Sequence, residues 1–337
     1  MNAEGGIAVL RIGFIGTGGI AQRHIRSLEQ LGAGRARIAA CCDVVLDKAE
    51  QAARAHGGTA HADFGRMLDA EPLDAVFLCT PPFVRAEPIE AVAARGLAVF
   101  CEKPPAFDAA QGRRALAAIR AAGVVSNVGF MYRWLGVVDR AKEIMAGRRL
   151  AAVRSAFLCG PAVDGNLPGW FYLKERSGGP VMDQAIHVLD LHRYLAGEVA
   201  SVHALGNNQI RPKGEAFTIE DTYTLNLAYA SGAIASHTHS WACRPGLGQV
   251  EIISEDARLV IDLFANRLTG LVDGVAVDYA PGDDPYLTEV DRFLAAVERR
   301  DPTGLRSPYA DAVQTCAVTW AALRSVETGR VEVPDRL

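Results

Sequence analysis

None of the seven cysteines in this 337-residue sequence stands in C-x-x-C spacing, and their number is odd. Cys41, Cys42, Cys79, Cys101, Cys159, Cys243 and Cys316 are scattered, and Cys41, Cys79 and Cys101 fall inside apolar runs. That pattern argues against a disulfide framework and against a cysteine-built zinc site, and reduced, packed cysteines are expected. Basic charge is also scarce: 35 Lys and Arg against 39 Asp and Glu leave a net charge of −4. No broad positive field exists for nucleic acid or a membrane surface to meet. Apolar runs stay far short of the ~20 residues of a bilayer span. The opening MNAEGGIAVL has an acid where a secretory leader carries basic residues, and it has no twin arginine. A cytoplasmic protein is expected.

What is present describes an ordered globular chain, half hydrophobic and 22% charged. Its length exceeds one ordinary core, so two domains are expected. No repeat, low-complexity tract or disordered linker stands out.

VLRIGFIGTGGIAQRHIRSLEQL reads as an apolar strand, a glycine-rich turn and an amphipathic helix. The turn is Gly16-Thr17-Gly18-Gly19-Ile20-Ala21, with alanine at the third fingerprint position. Gly16 suits the tight turn, and Gly18 suits close approach of a pyrophosphate to the helix N-terminus. A second strand, RIAACCD, ends at Asp43, where an acid accepts hydrogen bonds from the adenosine ribose. The alternative for Asp43 is a cap on the helix starting near Leu46. A carboxylate there repels a 2′-phosphate, and Val44 and Val45 follow it in place of a neutralising arginine, so NAD is expected over NADP.

Strands DAVFLCT, LAVFCE and VVSNVGF alternate with helices over 86–95 and 108–122. Such alternation implies right-handed crossovers and a parallel sheet, with ligands at the carboxyl ends of the strands. Thr80-Pro81-Pro82 and Glu102-Lys103-Pro104-Pro105 fall at those ends and are expected to face the cofactor crevice. A lysine before proline is held in extended or turn geometry, so Lys103 is aimed. After a helix near 137–146 the pattern turns to strands over 150–160, 200–210, 219–229, 232–241, 248–254, 257–263, 267–272 and 275–279. Two helices, near 286–300 and 308–327, close the chain. The fold class expected is α/β: a doubly wound parallel Rossmann sheet over residues 1–130, then an α+β domain over 131–337 with a large, mostly antiparallel open sheet. A terminal helix is allowed to pack back on the first domain.

SGGPVMDQAIHVLDLHRYL, residues 177–195, reads as a core-facing helix that carries Asp183, His187 and Asp190 on one side, with His192 off it. Val188, Leu191 and Leu195 form its apolar stripe. A buried His–Asp network and a catalytic site both fit that pattern. Before it, Trp170, Phe171, Tyr172 and Lys174 in a glycine-rich loop suit sugar stacking and hydroxyl recognition, though a packed loop has the same composition. His237 and His239 share one strand face, but no carboxylate or cysteine lies near them in sequence. Packing, or a substrate or interface contact, is expected there, and no metal.

Taken together the chain resembles, nearly end to end, the glucose–fructose oxidoreductase / inositol dehydrogenase / rhizopine catabolism family of NAD(P)-dependent oxidoreductases. The motifs are Gly16-Thr17-Gly18-Gly19-Ile20-Ala21, Asp43, Thr80-Pro81-Pro82, Glu102-Lys103-Pro104, Tyr132-Arg133, and Gly178-Gly179 followed by Asp183, His187 and Asp190. Ser307-Pro308 with Asp311 closes the match. Two places depart from it: Arg85, where the family often has histidine, and Gly96-Leu97-Ala98, where it often has Gly-Lys-His. The resemblance implies hydride transfer between NAD and a secondary carbinol of a sugar or cyclitol. It makes His187 the acid/base, Asp183 its orienter or a ligand of a substrate hydroxyl, and Lys103 the third member of the site. Tyr132 and Arg133 of the shared motif, and Trp170 and Lys174 of the aromatic loop, are expected on the substrate side. Histidine chemistry agrees, since a base near neutrality best takes the carbinol proton, while a lysine cation stabilises developing alkoxide.

Two other functions stay open on sequence: an NAD-dependent glycosidase that oxidises transiently, and a non-catalytic dinucleotide sensor. A small polyhydroxylated substrate is the expected partner, with a homodimer or homotetramer formed through the open sheet, whose second face is expected to be apolar.

Overall fold

The computed structural model describes residues 9–337, so most of the opening stretch read for a leader lies outside the described residues. From Leu10 the chain runs β1 (Leu10–Ile15), α1 (Gly19–Leu31), β2 (Ala36–Cys42), α2 (Leu46–His56), β3 (Thr59–His61), α3 (Phe64–Ala70), β4 (Ala75–Leu78), α4 (Ala86–Ala94), β5 (Ala98–Cys101), α5 (Ala109–Ala122) and β6 (Ser126–Val128). It continues through α6 (Gly136–Met145), β7 (Leu150–Leu158), the single-turn helices α7 (Pro161–Asp164) and α8 (Lys174–Ser177), a π-helical turn at Val181–Ala185, and α9 (Ile186–Ala196). Then come β8 (Val199–Asn207), β9 (Thr222–Tyr229), β10 (Ile234–Ser240), β11 (Leu247–Ser254), β12 (Ala257–Asp262), β13 (Arg267–Val272), β14 (Val275–Tyr279), α10 (Pro285–Arg299) and α11 (Tyr309–Thr328). Two compact units result. The first gathers the chain up to Met131 with Asp284–Ala312, and the second gathers Tyr132–Asp283 with Val313–Leu337. Helix α10 lies in the first.

In the first unit six parallel strands pair in the order β3-β2-β1-β4-β5-β6. Strands β4 and β5 are buried at every position, as expected where helices cover both sheet faces. Asp63 and Asp108 cap α3 and α5 by accepting from the amides of Arg66 and Gln111, each at 2.8 Å. Register places Phe14 opposite Phe77, and Phe77 opposite Phe100. Their rings stack at 5.1 and 4.5 Å, and Phe293 of α10 meets Phe77 and Phe100 edge-on at 5.6 and 5.3 Å. Each such pair adds about 0.5–1.5 kcal/mol beyond its burial. Strand order reverses between β1 and β4, which opens a crevice at their carboxyl ends.

The second unit holds an eight-stranded sheet, β14-β13-β12-β11-β7-β10-β9-β8, antiparallel except where β10 runs parallel to β7. One face packs Val153, Phe157, Leu225, Val250 and Ile252 into a core with Val137 and Val138 of α6 and Val188 and Leu191 of α9. Alternation along β10 puts Ile234, Ser236 and Thr238 on the other face, exposed. That outer face was expected to be apolar; it is mixed. Leu205 and Leu271 are exposed, but Glu251 sits on the same sheet paired with Arg154 and Arg258. The alternating apolar pattern belongs to the inner face, and ion pairs satisfy the outer one.

Candidate active site

In the first unit the glycine-rich turn leaves β1 with the amide of Gly16 bonded to the carbonyl of Cys42 at 2.8 Å. Gly16 has φ +87°, and a Cβ there would come within 2.7 Å of the carbonyl oxygen of Cys79 on the neighbouring strand end. Only glycine allows this close passage. Beyond it, α1 begins at Gly19-Ile20 without a side-chain cap and with no acid in its first turn. A Cβ at Gly18 or Gly19 would meet nothing within 4 Å. Open space before an uncapped helix N-terminus is what a dinucleotide diphosphate requires, so the residues fit that group. Asp43 points back to the same turn: one carboxylate oxygen accepts from the amide and hydroxyl of Thr17, each at 3.1 Å, and the other accepts from the amide of Val45 at 3.0 Å. The cap position of α2 is Val45, so Asp43 ties the two strand ends together rather than capping that helix.

Thr80, Pro81 and Pro82 follow β4, where the Thr80 hydroxyl is buried with no hydrogen-bond partner among the described residues, a group suited to meeting a ligand. Glu102 follows β5 and is buried. Its oxygens take His24 Nε2 at 2.6 Å and the amide of Lys103 at 3.0 Å. Burial pushes the Glu102 carboxyl up, but the bond from His24 and the charges of His24, Lys103 and Arg85 hold it below the ordinary range. The carboxylate expected to meet the cofactor therefore holds the loop that carries Lys103. Arg85 reaches the same loop, donating to the carbonyls of Glu102, Pro104 and Thr80. Sequence reading noted Arg85 only as a departure and passed over His24, though a histidine beside Ala21, Ile25 and Leu28 on the buried face of α1 was a signal.

In the second unit the π turn carries Asp183 and Gln184, and α9 carries His187 in its first turn. Gln184 Oε1 accepts from Trp241 Nε1 at 2.6 Å and from Cys159 Sγ at 2.9 Å, which anchors the turn to the ends of β7 and β10. The ring of Tyr132 meets His187 edge-on at 5.5 Å, and burial pushes the Tyr132 phenol up to about 12. Burial, and after it the charge of Asp183, pushes the Cys159 thiol up to about 12.

Asp190 and Arg133 take a different part from the one expected. Arg133 is buried and forks onto Asp190 at 2.7 and 2.6 Å, and Asp190 also accepts from Thr315 at 2.9 Å. A guanidinium so paired is held by the protein rather than by a substrate. Asp190, one turn beyond His187, thereby fixes α9. His192 bonds Ser155 and Tyr229 at 2.8 and 2.9 Å, and Ser155 bonds His237 at 2.8 Å. His237 and His239 are thus core residues beside Phe157. Trp170 stacks on Phe171, and Lys174 pairs with Glu327 at 3.2 Å and Glu220 at 3.6 Å.

Residues 10–130 match the profile of an oxidoreductase family with an NAD-binding Rossmann fold, GFO/IDH/MocA, and residues 139–260 match its C-terminal domain. Inositol 2-dehydrogenase of Paracoccus denitrificans is 31% identical, over 97% of this chain and 98% of its own length. The chain belongs to the GFO/IDH/MocA oxidoreductase family. Its first unit is the family's NAD-binding fold, as the turn and helix above fit. Among solved structures, the WlbA dehydrogenase from Bordetella pertussis in complex with NADH and UDP-GlcNAcA is 26% identical, with a TM-score of 0.86 over 98% of this chain and 100% of that one. A levoglucosan dehydrogenase in complex with NADH, 21% identical over 98% of this chain and all of its own, shares the fold with a TM-score of 0.88. Among the described residues no helix is long and apolar enough to cross a membrane.

Proposed function

We propose that this oxidoreductase acts on a secondary hydroxyl of a sugar or cyclitol, with NAD bound by the first unit and the substrate by the second. The observation that carries this reading is the near-full-length similarity to an inositol 2-dehydrogenase. NAD supplies the hydride acceptor. His187 takes the hydroxyl proton, Asp183 binds a neighbouring hydroxyl or orients the imidazole, and Lys103 offers positive charge to the developing alkoxide. Tyr132, packed on His187, walls the substrate side, and Trp170 and Lys174 contribute further contacts. Arg133 acts through Asp190 on the helix beneath them.

The deciding experiment is a panel of inositols and sugars with NAD, followed by NADH absorbance. Turnover of at least one polyol is expected, and silence across the panel with confirmed NADH binding sinks the substrate class. Asp43 supports a preference for NAD over NADP. All seven cysteines are thiols, which suits a reducing compartment, and the cytoplasm is the proposed location. On the mixed outer face of the second unit's sheet, the exposed Leu205, Ile234 and Leu271 support a homodimer or homotetramer formed sheet to sheet, and a monomer by light scattering at micromolar concentration would remove that proposal.

A further inference from the structure

Arg85 is only 2% exposed, and its guanidinium donates to three main-chain carbonyls: Thr80, Glu102 and Pro104. Burying a cation costs free energy unless its donors are met, so such a group persists where it holds something in place. The choice of acceptors is informative. Thr80 belongs to the turn after β4, while Glu102 and Pro104 flank Lys103 in the turn after β5. None of the three acceptors is a carboxylate: the Glu102 carboxylate feels the charge of Arg85, but the hydrogen bonds go to main chain. Arginine's planar fork holds several donors in one fixed geometry, whereas an ammonium has three rotatable donors on a single nitrogen and an imidazolium only two. The turn after β5 has a second fastening from the other side. His24 of α1 bonds the Glu102 carboxylate, which in turn accepts from the Lys103 amide.

We propose that Arg85 is a positioning residue of the NAD site. It fastens the Thr80 turn to the Lys103 turn through their carbonyls, so that Lys103 is presented from a backbone fixed on both sides. This deepens the NAD-dependent reading above and rests on it. The role differs from mere core filling in one respect: its loss is felt locally, at two turns, before it is felt by the fold.

Arg85→Lys, Arg85→His and Arg85→Ala test it, with three measurements on each. Amide exchange is followed in protein without NAD at Phe83 and Val84 and at Glu102 and Lys103, where Val84 bonds the carbonyl of Pro81 and Glu102 that of Leu78. NADH affinity is titrated by fluorescence, and kcat and KM are then separated with the best substrate. In all three variants those four amides are expected to exchange faster, while amides of β1 and α1 keep their rates. NADH affinity should weaken by about tenfold or more, the size expected for losing a charge-assisted hydrogen bond. Turnover should drop further than the substrate KM rises, and Arg85→Lys should recover only part of each loss.

Unchanged exchange at both turns with unchanged NADH affinity overturns the proposal. So does faster exchange spread evenly over the whole first unit, which would make Arg85 a packing residue. Should Arg85→Ala fail to fold, Arg85→Lys carries the same decision. If the unmodified protein fails to bind NADH in this titration, the NAD-dependent reading falls, while the exchange arm still decides whether Arg85 joins the two turns.

Discussion

His24 Nε2 and Glu102 Oε1 stand 2.6 Å apart inside the first unit, and neither residue is more than 3% exposed. The pair joins the helix after the glycine-rich turn to the loop that carries Lys103. Removing one member of a buried hydrogen-bonded pair leaves the other unsatisfied, at a cost of about 1–3 kcal/mol. His24→Ala is expected to lose that much in urea unfolding at neutral pH, and Glu102→Gln less, because the amide keeps the shape. Since Glu102 is held below its ordinary value, its contribution is present above the unfolded carboxyl range and fades as pH falls through the folded value. A loss under about 1 kcal/mol for His24→Ala would show that the pair adds little beyond an ordinary neutral hydrogen bond.

Division of labour at the reacting carbon gives a second expectation. His187→Ala should lower kcat by ~10²–10⁴-fold, the usual cost of removing a general base, with NADH affinity nearly unchanged. Lys103→Ala should lower turnover and also disturb NADH binding, because Lys103 follows β5 in the NAD-binding unit. A His187→Ala protein that keeps most of its rate would transfer the base role to Lys103.

Asp43 gives a third. Its carboxylate holds Thr17 in the turn that precedes α1. Asp43→Ser should narrow the ratio of kcat/KM for NAD over NADP by relieving repulsion of the 2′-phosphate, and should also raise the KM for NAD through the loosened Thr17. Equal efficiency with both cofactors in the unmodified protein would end the argument from charge.

The buried histidines of the second unit set the fourth. Burial holds His192 down to about 4 and His239 down to about 3, and His237 well below the ordinary value. The unfolded chain takes up protons near ~6.5 while the folded core does not. Stability is therefore full above that value and falls as pH drops from ~6.5 toward 4. Each histidine adds up to about 1.4 kcal/mol per pH unit to that slope. His239 hydrogen-bonds nothing among the described residues and stacks on Phe157, so His239→Phe should flatten the dependence without loss at neutral pH. Parallel stability curves for the two proteins between pH 7 and 5 would contradict this.

These residues also show where sequence reading reaches its limit. All eight strands of the second sheet were legible, because their apolar alternation and turn residues are local signals. Strand β3, three residues of Thr59–His61 at the sheet edge, was not, since so short a half-polar run has no period. The GFO/IDH/MocA resemblance was legible from motifs at strand ends. Its electrostatic partners were not: Arg133 meets Asp190 across 57 positions, His24 meets Glu102 across 78, and Arg85 bonds carbonyls, which leave no mark in side-chain pattern. The π turn was read as ordinary helix because nothing in VMDQA distinguishes the two.

Helix α10 gives the chain's order of synthesis a physical meaning. Phe293, Val290 and Leu294 complete the core built on Phe14, Phe77 and Phe100, yet they lie more than 150 positions after β6. On a ribosome the first six strands emerge long before the helix that covers this aromatic face. The nascent chain must then carry an open hydrophobic surface while the whole second sheet is translated, a period in which a chaperone has a defined patch to hold.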